Sequence, residues 1–228
     1  MDFIHYKDSD SFAKFPLKEK KYAKTRTNLI LSFLKELESK SFEEIKIKDI
    51  CHLADVSEPT FYNYFPEKED LILHYIQIWS LQVSIFAQTK INSKAGYGLL
   101  HSLFRYTANE SKKNPRILQE IISFQAKTKR ALQKEDLTIA ERVLLFPNIV
   151  DIERLPANGI EGIIQNALSH AGKSGELPES THWKSLALTI ASIFFGVPII
   201  AFQLDEHLEK RWIESLNYVW VGAGGRLK

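Results

Sequence analysis

Between Phe42 and Phe65 the chain sets Ser57, Thr60, Tyr62, Asn63 and Tyr64, hydrogen-bonding side chains on short or rigid stems, directly after a compact turn. Such groups suit phosphate oxygens and base edges, and an exposed helix that carries them fits a major groove. Phe61 and Phe65, four residues apart, fall on the opposite side of the same helix and would anchor it. In the preceding segment Ile47, Ile50 and Cys51 share a face, and Ala54 is small enough to let two helices approach closely. Asp55 stands where the turn needs a positive φ, which Asp tolerates better than most non-glycine residues. Ser57 is a good N-cap for the second helix, and Pro59 is acceptable in its first turn. Pro66-Glu67-Lys68-Glu69 then opens a further helix, where Lys68 can meet a phosphate. An isolated Phe-Tyr-Asn-Tyr-Phe is more often packed core than reading surface. The spacing from Ile50 through Ser57 to Lys68 reverses that reading.

Charge lends modest support. From Lys14 to Arg26 there are six basic residues (Lys14, Lys18, Lys20, Lys21, Lys24, Arg26) against one acid, Glu19, the kind of cluster that phosphate-binding proteins carry. Over the whole chain the formal net charge is only +2. Glu58 would repel phosphate, but it can accept from a cytosine amine or favour the helix N-terminus, and the second role weighs more.

Other chemistries find little to work with. The single cysteine, Cys51, allows neither an intramolecular disulfide nor a cysteine-based zinc site and suits a reducing cytoplasm. The seven histidines form no metal-ligand spacing, Gly172-Lys173-Ser174 lacks the upstream glycine of a phosphate loop, and there is no Gly-x-Ser-x-Gly elbow. We therefore expect no enzyme, with no catalytic residues, metal or cofactor. The N-terminal residues have no apolar run behind a basic start, so no secretory leader is expected.

The elements that must position the motif read as helices throughout. Leu29, Ile30, Phe33, Leu34 and Leu37 make one apolar stripe, and Leu71, Ile72, Tyr75, Ile76, Trp79, Val83 and Phe86 make another over 67–89. Further helices are expected over 97–111, 115–129, 137–146, 157–171, 183–204 and 206–221, with breaks at Asn114-Pro115, Pro147-Asn148 and Gly172–Gly175. No segment sustains a period of two, so the expected fold is all-α. Residues 185–204 carry no charge, the length of a membrane span, but Thr189, Ser192, Gly196, Pro198 and Gln203 interrupt them. A subunit interface needs the same apolar surface, and no membrane partner is expected.

On these residues the chain resembles the TetR family. The matching positions are Phe42, Ile50, Ala54, Val56, Ser57, Thr60, Tyr62, Tyr64, Phe65, Lys68 and Glu69. Cys51 stands for the usual Ala, and Asp55 stands for the usual turn Gly at a cost of about 1 kcal/mol. Lys46 stands where Ser or Thr normally caps. The resemblance implies a three-helix helix-turn-helix domain over 18–72 and a larger helical-bundle domain over 73–228 for ligand sensing and dimerisation. It implies phosphate contacts from Thr60, Tyr62 and Lys68 and base-proximal positions at Glu58, Pro59 and Asn63. Tyr64 suits either role, and Lys48 and Ser57 complete the set.

The implied protein is a cytoplasmic homodimeric regulator of transcription, usually a repressor. It would bind a palindromic operator in double-stranded DNA under the control of an unidentified small, apolar effector. Resemblance and pattern together put Trp183, Leu186, Ile190, Phe194, Val197, Trp212, Leu216, Val219 and Trp220 in the dimer interface. Trp79, Phe86, His101, Phe104, Tyr106, Phe124 and Phe146 are the candidates to line an effector cavity, although ordinary packed core is the commoner role for each. The alternative is a helical interaction module that kept the fold and lost DNA binding, motivated by Glu58 and the weak basic charge.

Overall fold

The computed structural model describes residues 9–91, 96–127 and 136–227. Among these the chain is wholly helical. In order the helices are α1 (Asp10–Ala13), α2 (Leu17–Glu36), α3 (Ile47–Ala54), α4 (Glu58–Tyr64), α5 (Glu69–Ile91), α6 (Tyr97–Lys113), α7 (Pro115–Lys127), α8 (Ile139–Leu145), α9 (Gly159–Lys173), α10 (Trp183–Gln203) and α11 (Leu208–Gly222). Sequence periodicity anticipated the long helices to within a turn; the last two residues of the expected 115–129 helix lie outside the described residues. The one-turn α1, too short for periodicity to reveal, begins on a Ser9 side chain that accepts from the Phe12 backbone N–H.

The described helices gather into two units. One runs to Ile78 and takes in Asn114–Leu155; the other is Trp79–Lys113 with Pro156 onward. A boundary near residue 72 falls just inside α5, which supplies residues to both units, and α7 and α8 belong with the N-terminal one. The reason is burial. In that unit Ile117, Leu118, Ile121 and Ile122 of α7 and Ala140, Val143 and Leu144 of α8 are core residues alongside Leu29, Ile30, Phe33 and Leu34 of α2.

The C-terminal unit is built on aromatics. Phe194 of α10 stacks on Trp212 of α11, with centroids 5.1 Å apart, while Phe104 of α6 meets both rings edge-on. Trp79 lies 6.1 Å from Phe194. Pro198 lies inside α10, and the helix runs through it with one ladder bond missing. Proline has no N–H to give the carbonyl four residues back, which is that of Phe194. The Trp212 indole N–H donates to that oxygen at 3.2 Å, so α11 satisfies the acceptor that Pro198 leaves open.

Candidate nucleic-acid interface

The turn between α3 and α4 has the geometry its residues dictate. Asp55 sits at φ 53° and ψ 48°, the left-handed region, and closes α3 with its N–H directed at Cys51 and His52 carbonyls. Lys46 caps α3 without a side-chain bond. Ser57 caps α4, its hydroxyl accepting from the Thr60 N–H at 3.3 Å and lying 2.8 Å from the Thr60 hydroxyl. Ile50, Cys51, Ala54, Phe61 and Phe65 are buried and hold the pair of helices against the unit. Burial raises the Cys51 thiol pKa, with Glu58 adding to it, so this cysteine is a packed small residue and a poor nucleophile.

What remains outside is the expected reading set. Lys48, Ser57, Glu58, Pro59 and Asn63 are exposed, Tyr62 is 48% exposed, and Thr60 and Tyr64 are half-buried. Tyr64 packs its ring 5.2 Å from that of Tyr22 on α2. Lys68, expected on a phosphate, is engaged within the protein. Its ammonium donates to the carbonyls of Phe42 at 2.7 Å and Ile45 at 3.0 Å and sits over the Phe42 ring, bracing the start of α5 against the α2–α3 connection.

The basic cluster is also smaller than it reads. Lys14, Lys18 and Lys21 are exposed, but Lys20 donates to the Ala13 carbonyl and Lys24 lies over the Phe12 ring. Arg26 is buried, with Nε 3.5 Å from Glu141 Oε1. Periodicity gave no warning of this, because the partner is 115 positions away, the difference between 141 and 26.

The two other candidate sets are rearranged. Leu186, Ile190, Phe194, Trp212, Leu216 and Trp220 are buried within the subunit, because they are the faces by which α10, α11 and α6 pack on one another. Trp183, Val197 and Val219 are half-buried, and the apolar surface of this pair consists of Leu188, Ile199, Ile200, Leu204, Tyr218 and Val221.

The seven aromatic candidates do not gather into one cavity. Trp79 and Phe104 belong to the aromatic core, Phe86 stacks on Tyr106 at 4.1 Å, and His101 packs against Tyr97. Phe124 and Phe146 fall in the N-terminal unit, where Phe124 lines a cleft of about 390 Å³ with Phe42, Lys68, Ile72 and Lys127. Burial, with the Glu110 carboxylate nearby, pushes the Tyr106 hydroxyl up to about 12. A larger groove of about 850 Å³ runs between α9 and α10, bordered by Ile164, Leu168, Gly172, Trp183 and Leu188 and by none of the seven.

The fold and site define a helix-turn-helix protein with an additional helical unit. Residues 34–75 match the model for bacterial regulatory proteins of the tetR family. Through this segment the chain is similar to the TetR family. Over 40 residues it is 50% identical to the HTH-type transcriptional regulator EthR of Mycolicibacterium smegmatis, a match that spans 18% of each protein. The whole fold is similar to that of Thermus thermophilus FadR, a TetR-family transcriptional repressor solved with lauroyl-CoA (TM-score 0.65, 17% identity, 89% of this chain and 97% of that one). Bacillus subtilis FadR, solved with stearoyl-CoA, is equally similar (TM-score 0.66, 15% identity, 86% and 97%). At these identities the structural likeness establishes the fold.

Proposed function

We propose that this chain is a DNA-binding regulator of transcription that acts as a homodimer in the cytoplasm and represses until a small effector releases it. One observation carries the reading. A short helix presents Tyr62, Asn63, Glu58 and Thr60 to solvent while Phe61 and Phe65 are fully buried behind it, so its exposed face is polar, rigid and held. Such a face reads base edges, with Thr60 and Tyr62 on phosphates. Lys14, Lys18 and Lys21 supply positive charge at the beginning of α2.

The second copy meets the exposed apolar side of α10 and α11. Leu188 is 62% and Tyr218 81% exposed, and large apolar groups left bare on adjacent helices are stabilised by an isologous four-helix contact. Residues 183–203 are long and apolar enough to cross a membrane, yet Leu186, Ile190 and Phe194 already pack inside the unit, which favours the dimer. For the effector we propose a long-chain acyl thioester. The two FadR structures similar in fold hold such molecules, and the unit is apolar and aromatic.

The test begins with selection of duplexes from a randomised pool by the full-length chain, followed by titration of the recovered site. We expect a two-fold symmetric sequence, steep loss of affinity with salt, and at least tenfold weaker binding by Tyr62→Ala. Lauroyl-CoA or stearoyl-CoA should release the DNA, and Leu188→Glu should leave a folded monomer in sedimentation. Failure to select any sequence, with binding indifferent to Tyr62 and Thr60, would favour an interaction module, a reading that the exposed Glu58 and the sequestered Arg26 also suit.

A further inference from the structure

The N-terminal unit contains a buried cluster of ionisable groups that none of the preceding roles uses. Glu141, fully buried on α8, holds two sets of partners with its two oxygens. Oε2 accepts from the Thr138 backbone N–H and hydroxyl, both at 2.8 Å, and Thr138 returns a bond by accepting from the Glu141 N–H. This is a capping box that forms the first turn of α8. Oε1 lies 3.1 Å from His74 Nε2 on α5 and 3.5 Å from Arg26 Nε on α2. Arg26 Nη2 is 2.9 Å from His74 Nδ1. Because a guanidinium can only donate, Nδ1 accepts, and the ring proton belongs on Nε2, the nitrogen nearer Glu141; neither contact to Oε1 is aligned as a hydrogen bond, so that oxygen meets the two groups by charge.

The cluster continues toward the helix that carries the reading set. Arg26 Nη1 donates to the Tyr22 hydroxyl at 3.0 Å, and its guanidinium lies over the rings of Tyr22 and Phe65, 5.3 and 5.0 Å from their centroids. Tyr22 packs on Tyr64, and Phe65 packs on His74. Tyr64 ends α4 and Phe65 is its C-cap. The C-terminal end of α4 therefore rests on residues whose positions follow the Arg26 charge, and that charge is matched by one carboxylate on another helix.

We propose that Glu141 is a positioning residue for the reading helix, linking the capped first turn of α8 through Arg26 and His74 to the end of α4. The inference builds on the DNA-binding reading of α4 but is measurable without it. A buried ion pair is weak evidence for stability, since apolar residues of similar volume often serve as well; its distinctive property is that the charges match in one arrangement only. A shift or unwinding of the first turn of α8 removes the carboxylate from Arg26. The guanidinium must then seek water or another acceptor, carrying Tyr22 and Phe65 with it. By linkage the dependence runs both ways: whatever holds α4 in place also holds the α8 cap.

The experiment uses the full-length protein and measures amide hydrogen exchange across α4 and α8, with and without a duplex selected by the wild type from a randomised pool. In Glu141→Gln we expect α4 amides to exchange at least tenfold faster, those of α10 and α11 to be unchanged, and duplex affinity to fall at least tenfold. In the wild type the duplex should slow exchange in the first turn of α8, and in Glu141→Gln that protection should vanish. A merely structural role for Glu141 predicts no such reciprocal protection. Thr138→Ala, which removes the cap hydroxyl and leaves all three ionisable groups, should raise α4 exchange about threefold.

Unchanged α4 exchange in a folded Glu141→Gln protein overturns the proposal. If that variant does not fold, unchanged α4 exchange in Thr138→Ala overturns it instead. If the wild type selects no duplex, the DNA reading has failed; faster α4 exchange in the variants then still supports the link, and unchanged exchange still overturns it.

Discussion

The two units solve the same packing problem with different chemistry. The N-terminal unit buries an arginine, a histidine and a glutamate among its apolar residues, and each of its shortest helices depends on specific caps. The C-terminal unit buries rings: Phe104, Phe194, Trp212 and Trp220 are almost wholly enclosed, its buried polar side chains include the small hydroxyls of Ser80, Ser84, Ser102 and Thr107, and the Trp212 indole N–H serves the carbonyl that Pro198 leaves open. Directional, charged contacts define one arrangement and tolerate few others. Stacked aromatics and aliphatics contribute area and dispersion with looser demands on geometry. A unit that reads a ligand's atom positions benefits from the first kind of core, and a unit that presents a broad apolar face can be built on the second.

The largest expected effect tests the aromatic side of this contrast. Trp212→Ala should destabilise the C-terminal unit by about 3–5 kcal/mol through lost burial and a cavity. Trp212→Phe should retain most of the stacking on Phe194 but leave its carbonyl bare beside Pro198, costing about 1–3 kcal/mol in denaturant unfolding. A Trp212→Phe protein as stable as the wild type would mean that packing alone holds α10 and α11 together.

Next in size is a contrast in pH response. Burial tends to raise the Glu141 pKa, but His74, Arg26 and the Thr138 backbone donor outweigh it and hold the carboxyl below its ordinary 4.5. Its contribution is therefore present above about pH 4.5 and lost as pH falls through the lower, folded value. Tyr106 behaves oppositely. With its hydroxyl raised from 10.0 to about 12, the folded state keeps a proton that the unfolded state releases, so stability falls as pH rises from 10 to 12. The loss should be up to about 2 kcal/mol after allowance for partial exposure, and Tyr106→Phe should flatten it. All four tryptophans, at 79, 183, 212 and 220, lie in the C-terminal unit. Their emission should lag the loss of far-ultraviolet circular dichroism in acid and follow it in alkali.

The smallest effect concerns the turn. Asp55→Gly should relieve the left-handed strain and stabilise the N-terminal unit by no more than about 1 kcal/mol, offset by the greater freedom of glycine when unfolded. An Asp55→Gly protein less stable than the wild type would show that the Asp55 side chain contributes more than a tolerated φ.

Features governed by neighbours in the chain are legible in the sequence. The φ of Asp55, the Ser57 cap, the missing cap at Lys46 and the inward and outward sides of α4 each depend on residues within a turn or two, and they stand as their residue types require. The helices of both units were readable because apolar periodicity is written over many residues.

What tertiary packing alone decided is which partner each group finds. Arg26 reads as one more member of a basic cluster until Glu141 neutralises it, and Lys68 reads as a phosphate donor until it meets the Phe42 and Ile45 carbonyls. An apolar periodicity shows that α10 and α11 bury a face, but it cannot say whether that face meets another helix of the same subunit or a second copy. Leu186, Ile190 and Phe194 turn inward while Leu188, Ile199 and Leu204 stay bare, and only the packed fold separates them. A local sequence sets dihedrals, caps and periodicity because those energies are local. The sharing of charge and apolar surface among distant segments is settled only when the chain has closed on itself.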